Sequence, residues 1–149
     1  MIQIIEREIA RKTPQVLTNG KKAYLRLNDA PESHVTVARG AQQILGGSIT
    51  IVGAHSGDGS FVGGFPPVIQ LEAVAETIDT AGKVKSSRTL GKTREAVITA
   101  GNTYADFAVP AVTLRAGESL RFKVVVHDVE KFTIGRSSIN ISTALPPKA

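Results

Sequence analysis

The chain has 149 residues, 42% of them hydrophobic and 21% charged, which suits one folded domain and excludes a disordered polymer. It contains no Cys, so disulfide scaffolds, thiolate metal sites and Cys nucleophiles are excluded together, and with five Phe, two Tyr and no Trp large sugar-stacking platforms are disfavoured. The net charge of +5 is uneven, because residues 1–27 hold six bases and two acids while the rest of the chain is close to neutral.

Val and Ile number 28 against nine Leu, and 13 Thr add to the β-branched set, which favours pleated sheet over helix. The leader MIQIIEREIARK places Ile2, Ile5 and Ile9 at helical spacing, with Arg11 and Lys12 suited to a helix C-terminus. Ile2 and Ile4 also alternate around Gln3, so an extended arm and a short helix are both open over residues 1–12. Charges at Glu6, Arg7 and Glu8 stand where a signal peptide needs its apolar stretch, and no run of about 18 apolar residues follows. A soluble product of the host cytoplasm, with no membrane partner, is the expectation. Beyond an arm of residues 1–20, strands and turns alternate through 21–149 as one domain. Ala23, Leu25 and Leu27 alternate with polar residues, His34–Ala38 reads as a strand, and Ile49 and Ile51 share a face after Gly46-Gly47. Gly53 to Pro67 reads as a glycine-rich loop. Ile69, Leu71, Ala73 and Ala75 form one face of a strand, a turn at Asp79–Gly82 leads into a basic stretch, and Leu120, Phe122, Val124 and Val126 form another face. The pattern predicts an all-β fold, an antiparallel β-sandwich of jelly-roll type with about eight or nine strands.

Candidate chemistry is sparse. His127 and Asp128 are adjacent in a strand, where neighbours face opposite ways, and His34 has no distinguishing partner. His55-Ser56-Gly57-Asp58 holds the residue types of a triad, but four adjacent positions do not supply convergent geometry, and a single carboxylate is too few for a calcium loop. Glu72 and Glu76, about 13 Å apart along a strand at ~3.3 Å per residue, exceed the separation of a glycosidase pair and read as a solvated face. No phosphate-binding glycine motif is present. No metal, no cofactor and no enzymatic activity are expected. The basic patch Lys83, Lys85, Arg88, Lys92 and Arg94 could follow a phosphate backbone, yet no aromatic residue lies between Phe65 and Tyr104 to stack on bases, which disfavours nucleic acid.

The leader MIQIIEREIARK, the strand-turn-strand VPAVTLRAGESLRFKVVVHDV at 109–129 and the glycine-rich stretch before Phe65-Pro66-Pro67 together resemble phage capsid decoration (cement) proteins. That resemblance implies a structural virion protein on the outer capsid surface, a homotrimer whose partner is the major capsid protein. The leader residues Ile2, Ile4, Ile5, Arg7, Ile9, Arg11 and Lys12 are then the expected partner-binding element, with the bases meeting acidic capsid surface. Two alternatives stand beside it: a carbohydrate- or ligand-binding sandwich module with Gly53–Gly64 as its mouth, and a phage tail-associated structural protein.

Overall fold

The computed structural model describes residues 2–9, 13–28, 35–37, 40–61, 67–98 and 102–144, with the backbone alone at 36–37, 55–61 and 102. Alternation decides the two central strands of one sheet. In β6 (Val68–Ile78) the side chains of Ile69, Leu71, Ala73 and Ala75 enter the core, and in β11 (Glu118–His127) those of Leu120, Phe122, Val124 and Val126 do so. The two strands pair antiparallel from Glu118 opposite Thr77 to His127 opposite Val68, so both apolar rows fall on one face. On the outer side of β6 run β7 (Val84–Lys92) and β8 (Ala96–Val97). On the outer side of β11 run β3 (Ala23–Tyr24) and β4 (Thr36–Val37), which completes a six-stranded sheet.

The second sheet has seven strands and is organised around β5 (Gln42–Phe61), 20 residues long. One edge of β5 pairs with β13 (Ser138–Ala144) and then β12 (Val129–Ile134), and the other with β9 (Asn102–Val109) and β10 (Val112–Leu114). β1 (Ile2–Glu8) adds to β13, and β2 (Val16–Thr18) adds to β12. All the strand pairings of both sheets are antiparallel. The sheets face each other across one apolar core that includes Ile9, Ile49, Ile51, Phe107, Phe132, Ile139 and Ile141. No helix among the described residues is long and apolar enough to cross a membrane.

The antiparallel sandwich expected from the sequence is therefore present, with three differences of detail. Thirteen strands are described rather than eight or nine, because β2, β3, β4, β8 and β10 are only two or three residues long and follow the edges of longer strands. The leader is a strand and not a helix. Its pairing with β13 turns Ile5 toward the core and ends with Ile9 wholly buried, where Ile9 donates its N–H to Ser137 O and bridges to Leu27. The third difference concerns Gly53–Phe61, which is strand rather than loop and lies against β12 and β9. Gly53 is small for a packing reason, since a Cβ there would sit 2.6 Å from the Phe132 ring. Residues 62–66, the rest of the expected loop, lie outside the described residues.

Candidate functional site

The outward face of the seven-stranded sheet is assembled in cross-strand rows whose central positions, on β13 and β5, are mostly short polar side chains. Glu6, Asn140, Ser48 and Ala108 form one row across β1, β13, β5 and β9. Glu8, Ser138, Thr50 and Asp106 form the next, and Val52 stands beside Tyr104 in a third. Toward the other end Ile4 lies beside Ser142, and Ile2 beside Ala144. Side chains this short leave the pleat close to the surface, so a partner backbone could approach it closely. The rim is apolar: Ile2 is 68% exposed, Ile4 62% and Tyr104 69%. Among the described strands β1 pairs only with β13, which leaves its other edge open along Ile2–Glu6. An open edge with outward isoleucines is a template for further pairing.

The electrostatics of this face differ from the expectation for the leader. Its rows across β1, β13, β5 and β9 carry the carboxylates of Glu6, Glu8 and Asp106, and the exposed base Lys131 stands further along the face, in the row with Thr18 and Ser56. Asn140 Nδ2 donates to Glu6 Oε1 at 3.3 Å, and Thr50 Oγ1 donates to Asp106 Oδ1 at 2.6 Å. Arg7, one residue out of phase with the two glutamates, donates from Nη1 to Val35 O at 3.2 Å and belongs to the other face of β1. Arg11 and Lys12 lie outside the described residues. Of the seven leader residues singled out in the sequence, Ile2 and Ile4 stand on the outward face, while Ile5 and Ile9 serve the chain's own core.

The five bases of the second candidate patch do not converge. Lys83 closes the hairpin after Asp79, donating its N–H to Asp79 Oδ1, and Lys85 is exposed on β7. Arg88 is neutralised: its Nε donates to both oxygens of Glu118 at 3.2 and 2.9 Å, and its Nη2 to Glu118 Oε1 and Thr113 O at 2.8 and 2.7 Å. Glu118 also accepts the Arg115 N–H at 2.7 Å. The Arg88 guanidinium holds the Glu118 carboxyl below its ordinary value of 4.5 against the upward push of burial, with the Arg115 N–H adding to the lowering. Because Thr113 belongs to β10, this cluster ties one sheet to the other. Lys92 and Arg94 stand further along, beside an opening between the sheets.

A second charged cluster was not legible in the sequence. Glu76 is 1% exposed rather than solvated, and Arg121, at 8%, donates from Nη1 to its Oε1 at 2.9 Å. The Tyr24 hydroxyl donates to Glu76 Oε2 at 2.7 Å, and Arg121 Cζ lies 3.6 Å from the Tyr24 ring centroid. Burial, followed by the hydrogen bond to Glu76 and its charge, holds the Tyr24 phenol above its ordinary 10.0, with Arg121 opposing. Glu72 is held separately by Lys22 at 2.9 Å. At the next turn His127 is exposed, and Asp128, in the left-handed region at φ 63°, donates its N–H to Asn19 Oδ1 at 2.9 Å. His34 lies outside the described residues, as do the side chains of His55, Ser56 and Asp58. Among the described residues no group of three or more His, Asp or Glu is placed to hold a metal ion.

No protein-family model matches the chain, and no curated protein matches it. Solved structures with the same fold do exist. A chain of infectious bursal disease virus, Gt strain, is similar over 95% of this chain and 32% of its own, at 15% identity and a TM-score of 0.52. The VP2 protein of the same virus, in T=1 particles, is similar over 95% of this chain and 31% of its own, at 11% identity and a TM-score of 0.52. Eiger TNF from S. frugiperda is similar over 99% of this chain and 96% of its own, at 11% identity and a TM-score of 0.55. The chain thus spans about a third of the length of the viral chains it resembles, and it shares with all three a β-sandwich fold.

Proposed function

We propose that the chain is a structural virion protein, a capsid decoration (cement) protein that binds the outer capsid surface and bridges major capsid subunits as a homotrimer. The observation that carries this is the outward face of the seven-stranded sheet. It is broad, its central positions on β13 and β5 are mostly short polar side chains, its rim holds Ile2, Ile4 and Tyr104, and it is bounded by the open edge of β1. The likeness to virus-particle chains supports the reading at the level of fold.

A cement protein works by joining subunits that internal pressure would separate. Several weak contacts made at once hold far better than any one, because after the first the others become intramolecular. Ile2 and Ile4 each contribute about 1.5–3 kcal/mol if fully buried against a partner. Strand addition at the open β1 edge would supply backbone hydrogen bonds and set the register. The carboxylates of Glu6 and Asp106 favour donors on the partner surface beside them, where the leader's composition implies an acidic partner.

Two measurements test this together. Virions from the source, banded by buoyant density, should contain the chain at a fixed ratio to the major capsid protein, as counted by peptide mass spectrometry. Light scattering on the purified chain should give three times the monomer mass, and the Ile2→Asp/Ile4→Asp variant should lose both trimer and virion association. Absence of the chain from the virion band would overturn the proposal.

A further inference from the structure

We propose that the open side of the sandwich is a binding site for a compact amphiphile with one anionic head, a medium-chain carboxylate. On this side the six-stranded sheet ends in β7 and the seven-stranded sheet in β9 and β10. A crevice of about 360 Å³ lies between them, floored by Ile49, Ala73 and Phe122. These side chains are 1–3% exposed, so they present core surface to the opening. The volume is that of a small-ligand site, for which about 300–1,000 Å³ is usual.

The crevice is preformed. Arg88, bonded to Glu118 and to Thr113 O, spans the two sheets on one side of it, and Arg94 Nη2 reaches Asp106 O at 3.4 Å on the other. Thr93 is pinned to β6: its N–H donates to Leu71 O at 2.9 Å, its Oγ1 accepts the Leu71 N–H at 3.1 Å, and its carbonyl accepts Gln70 Nε2 at 2.9 Å. A ligand would therefore enter without first ordering the wall.

Arg94 lines the opening. Lys92 pairs with Glu72 in the β6–β7 ladder and so turns to the outer face of the six-stranded sheet, whereas Arg94 meets only a backbone carbonyl among the described residues, so its charge is not neutralised. One unpaired guanidinium above apolar walls matches a ligand with an apolar body and a single anionic end. Gly91 supplies the room. It pairs with Ala73, whose side chain is in the core, so a Cβ at Gly91 would point the same way, and it would meet nothing within 4 Å.

The test uses the full chain, isotopically labelled, with decanoate as the probe and decanol as its uncharged counterpart, read by amide NMR shifts. Decanoate should give saturable shifts centred on Gly91, Lys92, Thr93 and Arg94, and bind at least tenfold more tightly than decanol. Arg94→Ala should weaken decanoate about tenfold and leave decanol unchanged. Filling the crevice with Gly91→Ala and then Gly91→Val should reduce binding in that order, and the milder variant keeps the comparison valid if the larger one fails to fold. Shifts scattered over the surface, equal affinity for decanoate and decanol, or undiminished binding in the folded filled variants would each overturn the assignment.

Discussion

At the scale of single residues, the two buried charge clusters have different consequences. Breaking the Glu76–Arg121 pair from one side strands the other charge in the sheet face, so Arg121→Met alone should cost about 3–5 kcal/mol in denaturant unfolding. The triple change Tyr24→Phe, Glu76→Leu and Arg121→Met removes every member at once and should recover most of that loss. Glu118 gives a pH signature. Its folded pKa lies below the unfolded 4.5, so its contribution is complete above that value and is lost as pH falls through the folded pKa. Glu118→Gln should lower stability by about 2 kcal/mol at neutral pH and flatten this acid limb in unfolding measured against pH. Neither cluster was legible in sequence. Glu76 sits four residues from Glu72 with nothing to distinguish the two, and only the arrival of β11 beside β6, with Tyr24 of β3 reaching over from its far side, makes one of them buried.

At the scale of elements, the strands that could be read were those whose alternation is sustained, β6 and β11 above all. Strands of two or three residues carry no period, and β2, β3, β4 and β8 exist because a longer neighbour offers them a free edge. The glycines of β5 misled for a physical reason. Glycine weakens a strand in isolation, yet here close packing and an irregular ladder require it. Gly47 adopts φ 157° in the second pair before the register shift in the β5–β13 pairing, and a Cβ there would lie 2.8 Å from Ile141 Cα. Gly47→Ala should therefore destabilise by about 2–3 kcal/mol, checked by urea unfolding, and is expected to disturb β13 amide signals first. The leader was half legible: four isoleucines had to be buried, but which of them faced the core depended on register with β13.

For the whole molecule, the same leader separates folding from assembly. Because Ile9 is wholly buried and β1 pairs along its full length with β13, deleting residues 1–12 should lower the melting temperature as well as alter association. Ile2→Asp/Ile4→Asp changes only exposed positions and should shift the melting temperature by no more than a few degrees while abolishing the trimer in light scattering.

The central position of β5 also governs how the chain acquires its shape during synthesis. Four partners, β9, β10, β12 and β13, lie between residues 102 and 144, and β1 waits for β13 as well. A ribosome that has delivered only the first hundred residues has therefore released a 20-residue strand with none of its ladder partners. Pairing across such sequence distances is slow, and an unpaired strand of this length invites association with other nascent chains. Chains truncated before residue 138 should accumulate with chaperones or in aggregates, whereas the 149-residue chain, able to close both edges of β5, should escape them.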